Sequence, residues 1–206
     1  MTRAIAIATW LGLAATSAPV AQAGEAGDAV FAERAPWALD GDGLTWDLQV
    51  QGPAAPGFVP VEDGSVRLTR TIDPADGQPV LQVTRDTGTD TRRIGAFPIS
   101  GGDPVLVLFL EQTARDMAAL TGGSPFYIRN RIKDAVFRGG RIARRDGQAI
   151  AVFHPFADDP NAARMGGFDT LALTFVLDGN PKAPIRQMLA ATEGGTPGYL
   201  NRLVLE

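Results

Sequence analysis

The sequence contains no cysteine. That absence excludes disulfide staples, thiolate metal sites, iron–sulfur clusters, thioether-linked haem and every cysteine nucleophile. Histidine is nearly absent too, His154 being the only one. Imidazole is a common base and metal ligand. Its potential co-ligands here are carboxylates and the methionines Met117, Met165 and Met188, which share no ligand spacing. We read His154 as a plain strand-end residue and expect no metal, no cofactor and no enzyme activity. Downstream of residue 23 the serines are Ser65, Ser100 and Ser124. Gly122-Gly123-Ser124-Pro125-Phe126 lacks the second glycine of a nucleophile elbow, and Ser124 is better used as a helix cap. No glycine loop is followed by Lys-Ser/Thr, and no glycine triplet follows a strand, so neither phosphate-binding pattern is present. Paired carboxylates occur at Asp40/Asp42, Glu62/Asp63 and Asp158/Asp159; as sequence neighbours in polar stretches they read as solvated rather than as glycosidase machinery.

Long apolar runs are missing as well. The longest, Ala4–Ala15, spans twelve residues, whereas a membrane helix takes about 20. It follows Arg3, is broken by Pro19, and precedes Ala21-Gln22-Ala23, a small-x-small cleavage site. This is the pattern of a secretory leader cut after Ala23, which places the mature chain in the periplasm with no transmembrane anchor. Removing residues 1–23 leaves 183 of the 206 residues and takes the 19 basic side chains to 18 against 23 acidic ones, a net charge of −5. An acidic chain of this kind is not adapted to nucleic acid.

Residues 24–42 are rich in Ala, Gly and Asp, with Phe31 and Trp37 as anchors, and read as an arm without regular structure. Residues 43–206 read as a single domain. Leu44, Trp46, Leu48 and Val50 alternate with polar residues, the period of a half-buried strand. Val66–Ile72 and Pro79–Arg85 flank the turn residues 73–77, and Arg92–Phe97 is a fourth strand. Asp103-Pro104 and Ser124-Pro125 are helix starts, with Gly122 and Gly139-Gly140 as stops, so two helices are predicted over 104–121 and 125–138. The first carries Leu106, Phe109, Leu110, Ala114, Met117 and Leu120 on one stripe, with Val105, Val107 and Leu108 making its first turns apolar all round and therefore buried. Ile128, Ile132, Ala135 and Val136 form one face of the second. Arg141–Arg145 and Gln148–Phe153 flank Asp146-Gly147, a hairpin turn. Strands at Thr170–Leu177, Ala183–Ala190 and Tyr199–Leu205 complete the chain. The strand connections are too short for crossover helices, which predicts an α+β fold: one curved, mostly antiparallel sheet of about eight or nine strands with the helix pair packed on one face.

Export together with this element order resembles the periplasmic lipoprotein-carrier family, in which a strongly curved antiparallel sheet is plugged by helices inserted mid-chain. The resemblance covers most of the mature chain and implies an apolar cavity for acyl chains between sheet and helices. The apolar excess in 105–110 and 171–177 accommodates either such a cavity or an ordinary two-layer core.

Charge is unevenly distributed. Arg129, Arg131, Lys133, Arg138, Arg141, Arg144 and Arg145 place seven basic residues within 17 positions, against Asp134 alone. Arginine suits phosphate and carboxylate bidentately. One reading is a contact surface for anionic lipid or an acidic envelope protein; the other is a solvated face balanced by distant acids. The first requires convergence: Arg129 and Lys133 are helix neighbours, and Arg141 and Arg145 share one side of a strand. The reading that follows is a periplasmic, non-enzymatic binding or carrier protein for an amphiphilic or anionic ligand such as a lipid. The alternative is a cell-envelope adaptor or structural protein that binds another protein, and an enzyme of unknown type comes third.

Overall fold

The computed structural model of the chain describes residues 24–35, 37, 39, 43–194 and 198–206; the leader and the Asp40/Asp42 pair lie outside the described residues. Nine strands form one sheet: β1 (Leu44–Gln51), β2 (Val61–Ile72), β3 (Pro79–Asp86), β4 (Thr91–Pro98), β5 (Arg141–Arg145), β6 (Gln148–Phe153), β7 (Leu171–Asp178), β8 (Gln187–Thr192) and β9 (Leu200–Leu205). Their order is β4-β3-β2-β1-β9-β8-β7-β6-β5, and every neighbouring pair is antiparallel. The fold is thus α+β with an open antiparallel sheet. Each half is a meander, β1 pairs with β9 in the middle, and β4 and β5 form the edges. Three α-helices accompany it among the described residues: α1 (Glu25–Val30), α2 (Pro104–Thr121) and α3 (Pro125–Arg138). In sequence, α2 and α3 connect one edge strand to the other.

Helices α2 and α3 begin where their capping chemistry dictates. The Asp103 carboxylate accepts from the N–H groups of Val105 (2.9 Å) and Leu106 (3.0 Å), with Pro104 in the first turn, and Gly122 ends α2 in the left-handed region at φ 67°. Ser124 caps α3 through the Tyr127 N–H. Strand alternation fixes which sheet face is dry: Trp46, Leu48 and Val50 of β1 and Leu171, Leu173, Phe175 and Leu177 of β7 are buried, their neighbours less so. The α2 stripe packs on that face. Phe109 meets Phe175 edge-on at 5.9 Å between ring centroids, and Phe175 meets Phe153 in the same way at 5.8 Å. Apolar burial of this kind contributes about 25 cal/mol per Å².

Four expectations are corrected. Residues 24–42 contain α1, although its N-terminus has no side-chain cap. Packing rather than propensity holds it: Ala26 and Val30 are buried, and Gly27 lies so close to the Val136 carbonyl that a Cβ there would overlap the oxygen. Arg34, itself buried, donates from Nη1 to the carbonyls of Val30 and Ala32 (both 2.9 Å) and from Nε to that of Ala183 (3.1 Å). In the first turns of α2, Val107 is exposed, so that end is not buried all round. Strand β2 starts at Val61, where it pairs with Val50 across an irregularity in the ladder. Strand β8 starts at Gln187 rather than Ala183, because the Asp178 and Asn180 side chains accept from Asn180 and Lys182 N–H groups (both 3.0 Å) and build successive turns first.

Candidate functional site

The basic segment does not form one surface. Strand β5 pairs Ile142 with Ala151 and Arg144 with Ala149, and Ala149 and Ala151 belong to the buried face. Arg144 therefore lies on the helix side, where it pairs with Glu25 of α1. Arg141 and Arg145 lie on the opposite face, beside Val152 and Gln148. On α3, Arg129 forms a fork to Glu111 of α2 (2.8 and 2.6 Å), Arg138 meets Asp134 (2.5 Å), and Arg131 turns inward to Asp159 (2.9 Å). Arg145 pairs with Asp146 at 3.2 Å. Lys133 and Arg141 make no ion pair among the described residues. Five of the seven cations are thus matched to carboxylates, three of them (Glu25, Glu111 and Asp159) brought from outside residues 129–146.

Among the carboxylate pairs, Glu62, Asp63 and Asp158 are exposed. Asp159 is not: its side chain is fully covered. Tyr127 donates its hydroxyl to both Asp159 oxygens (2.9 Å each), the Asn161 N–H donates to Oδ1 (2.8 Å), and Asn161 Nδ2 donates to the Tyr127 oxygen (3.1 Å). Burial alone would raise the pKa of this carboxyl; the Asn161 N–H, the Tyr127 hydroxyl and Arg131 outweigh it and hold the group below its ordinary value. His154 is exposed just beyond β6, bordering shallow depressions with Arg141, Val152 and Arg138. No group of three or more His, Asp or Glu side chains with metal-site geometry occurs among the described residues.

The Asp159 network props one wall of a pocket of about 460 Å³ at the α2–α3 turn, lined by Thr121, Gly122, Gly123, Ser124, Tyr127, Ile128, Asn161, Arg164 and Met165. Ile128 (2% exposed) and Met165 (6%) form an apolar floor. The Tyr127 hydroxyl and the Asn161 amide are held in place by Asp159. Gly123 fits closely here: a Cβ on it would press on Thr121 Oγ1 at 3.0 Å and Ile128 Cδ1 at 3.1 Å. Arg164 ends a 3-10 turn (Ala162–Arg164) at the rim, exposed and without an ion pair among the described residues. The positive end of α3 opens on the same space. Arg164, Tyr127, Asn161 and Met165 carry no local sequence signal, since the turn and the 159–165 loop meet only through tertiary packing.

A second polar cluster lies between α2 and the sheet. Tyr199 and Gln112 donate to Asp116 (2.8 and 2.7 Å), and Asn201 donates to Thr113 (3.1 Å). Burial raises the pKa of Asp116 and, with the neighbouring Asp116 charge, that of Tyr199. Asp116 is 2% exposed and Tyr199 3%, so the pair is sealed against substrate and acts as a pin between layers. No known family model matches the chain, and no curated protein matches it.

Proposed function

We propose that the protein is an exported, non-enzymatic binding protein for an amphiphilic anion, and that the pocket at the α2–α3 turn is where the ligand sits. The observation that carries this reading is Arg164, a cation with no ion pair among the described residues, set over the apolar floor of Ile128 and Met165. A volume of about 460 Å³ suits one small molecule, since such sites run roughly 300–1,000 Å³. An aliphatic portion would lie on Ile128 and Met165, and an acidic head would meet Arg164, the Tyr127 hydroxyl and the positive end of α3. The chemistry is the one inferred for the seven-residue basic segment, now placed in another part of the fold. The reading keeps a periplasmic location, a curved sheet plugged by the helix pair, and the likeness to lipoprotein carriers. It differs from that likeness in where the ligand goes, because the sheet–helix space holds Phe109, Phe153 and Phe175 in edge-to-face contact.

Isothermal titration with decanoate, and with decanol as the uncharged control, tests it. Decanoate is expected to bind at one site and decanol at least tenfold more weakly. Arg164→Ala should remove that preference, and Gly123→Leu should abolish both affinities. Equal binding of the two compounds, or decanoate binding unchanged in both variants, overturns the proposal.

A further inference from the structure

Helix α3 carries a second, outward-facing pattern that the pocket does not use. Its buried residues are Ile128, Ile132 and Val136. At about 100° per residue, positions 126, 130, 133 and 137 fall within roughly 60° of arc on the side away from that face. They are Phe126, Asn130, Lys133 and Phe137. Phe126 is 70% exposed and Phe137 51%, unusual for phenylalanine on a helix whose other face is dry. Phe31 of the α1 cap extends the stripe, stacked on Phe137 with centroids 4.5 Å apart and rings 3° from parallel. The Lys133 ammonium stands 6.0 Å from the Phe137 centroid. Val107 of α2, which packs beside α3, is 55% exposed. Around the part of the stripe on α3 lie Arg115, Arg129, Lys133 and Arg138; Arg115 and Arg129 share Glu111, Arg138 pairs with Asp134, and Lys133 has no ion pair among the described residues.

We infer that this face of α3 docks the protein on an anionic lipid surface. Aromatic rings at both ends of a helix, with cations between them, are what a helix lying in the interface plane presents: the rings enter the headgroup region and the cations meet lipid phosphates. The charge balance selects the partner. On α2 and α3 these four cations share two carboxylates, Glu111 and Asp134, leaving an excess of positive charge in a chain whose net charge is −4, so this part of the face repels its own copy on another molecule and is drawn to a negative surface. Phe126 adjoins Ser124 and Tyr127 of the pocket, so docking sets the pocket mouth near the lipid headgroups. The inference stands independently of the pocket, since it uses none of the pocket's lining residues.

Flotation of the exported chain with phosphatidylglycerol vesicles, with phosphatidylcholine vesicles as control, tests the inference. Binding to the anionic vesicles is expected, at least tenfold weaker on the neutral ones and weakened by salt. Phe126→Ser with Phe137→Ser, and separately Lys133→Glu, should each lower it at least fivefold. The Phe126→Trp variant should show a blue-shifted emission when anionic vesicles are added; this single change at an exposed position reads insertion even if the double variant folds poorly. Arg145→Ala, at an exposed cation on the opposite face of the sheet, should leave vesicle binding as it is, which separates this surface from a general effect of positive charge. Failure to float with either vesicle, unshifted emission from the Phe126→Trp variant, or retention on an acidic protein column without vesicle affinity overturns the inference, the last in favour of an acidic protein partner.

Discussion

The Tyr199 hydroxyl donates to Asp116 Oδ2 across 2.8 Å, tying the residue that leads into β9 to the middle of α2. The bond spans 83 positions and lies in the dry layer, where a carboxyl holds its proton more tightly than in water. Burial raises the pKa of Asp116 above the ordinary value of 3.8, against the opposing donors Tyr199 and Gln112. The fold then binds a proton that the unfolded chain has lost. The contribution of this group is fully present below pH 3.8 and fades as pH rises through the raised value. Asp116→Asn removes the titration. Urea unfolding from pH 4 to 7 should show parent stability falling relative to the variant as pH rises; a constant difference would show that Asp116 does not titrate on folding.

Asp159 should behave in the opposite sense. Its pKa is lowered, so its contribution is present above 3.8 and lost as pH falls through the depressed value. Asp159→Ala leaves the Tyr127 hydroxyl and Arg131 without their acceptor and should cost about 3 kcal/mol at pH 7. Asp159→Asn should cost less, by an amount that shrinks in acid. Parallel denaturation curves at pH 7 and pH 3 are the measurement.

Gly27→Ala should detach α1. The added methyl overlaps the Val136 carbonyl, and relieving that overlap should cost about 1–3 kcal/mol. Gly102→Ala, where a Cβ meets nothing within 4 Å, is the control and should change stability by less than about 0.5 kcal/mol. Hydrogen exchange of the α1 amides should rise in the first variant alone.

His154→Gln should be silent. The side chain is exposed beyond β6, and substitutions at such positions stay within about 0.5 kcal/mol. Decanoate affinity and metal content after chelation should both match the parent. One tightly held metal ion per chain would revive a catalytic reading.

Export is checked at the N-terminus. The Arg3, apolar-run and Ala21-Gln22-Ala23 pattern predicts a mature species beginning at Gly24. Intact mass and N-terminal sequencing of the periplasmic fraction test it; Met1 retained in the membrane fraction is the contrary result.

Legibility in the sequence followed the range of the forces involved. The bounds of α2 and α3 were readable to the residue because Asp103-Pro104, Gly122 and Ser124-Pro125 act on their own backbone. Alternation exposed β1 and β7 in the same way. Helix α1 was hidden because its stabilising contact, Gly27 against Val136, lies more than a hundred positions away. The pairing within the basic segment is hidden for the same reason: Glu25, Glu111 and Asp159 reach Arg144, Arg129 and Arg131 from three separate parts of the chain. The pocket, assembled from 121–128 and 161–165, depends on the placement of Tyr127 against Asp159, which no local pattern encodes.

The pairing of β1 with β9 governs how the two halves of the sheet can join. Trp46 faces Leu205 and Gln51 faces Leu200 across the middle of the sheet, and the Glu206 N–H reaches the Thr45 carbonyl at 3.0 Å. Every other strand pairing joins strands consecutive in sequence, so each half-sheet can zip from its own hairpins. The seam between the halves needs the six-residue strand β9, about 150 positions from β1, and long-range closure of this kind is slow. Without β9 the two half-sheets would keep open inner edges at β1 and β8, and removal of residues 200–205 would leave those edges bare to other chains. The slowest pairing thus lies at the centre of the sheet rather than at its rim.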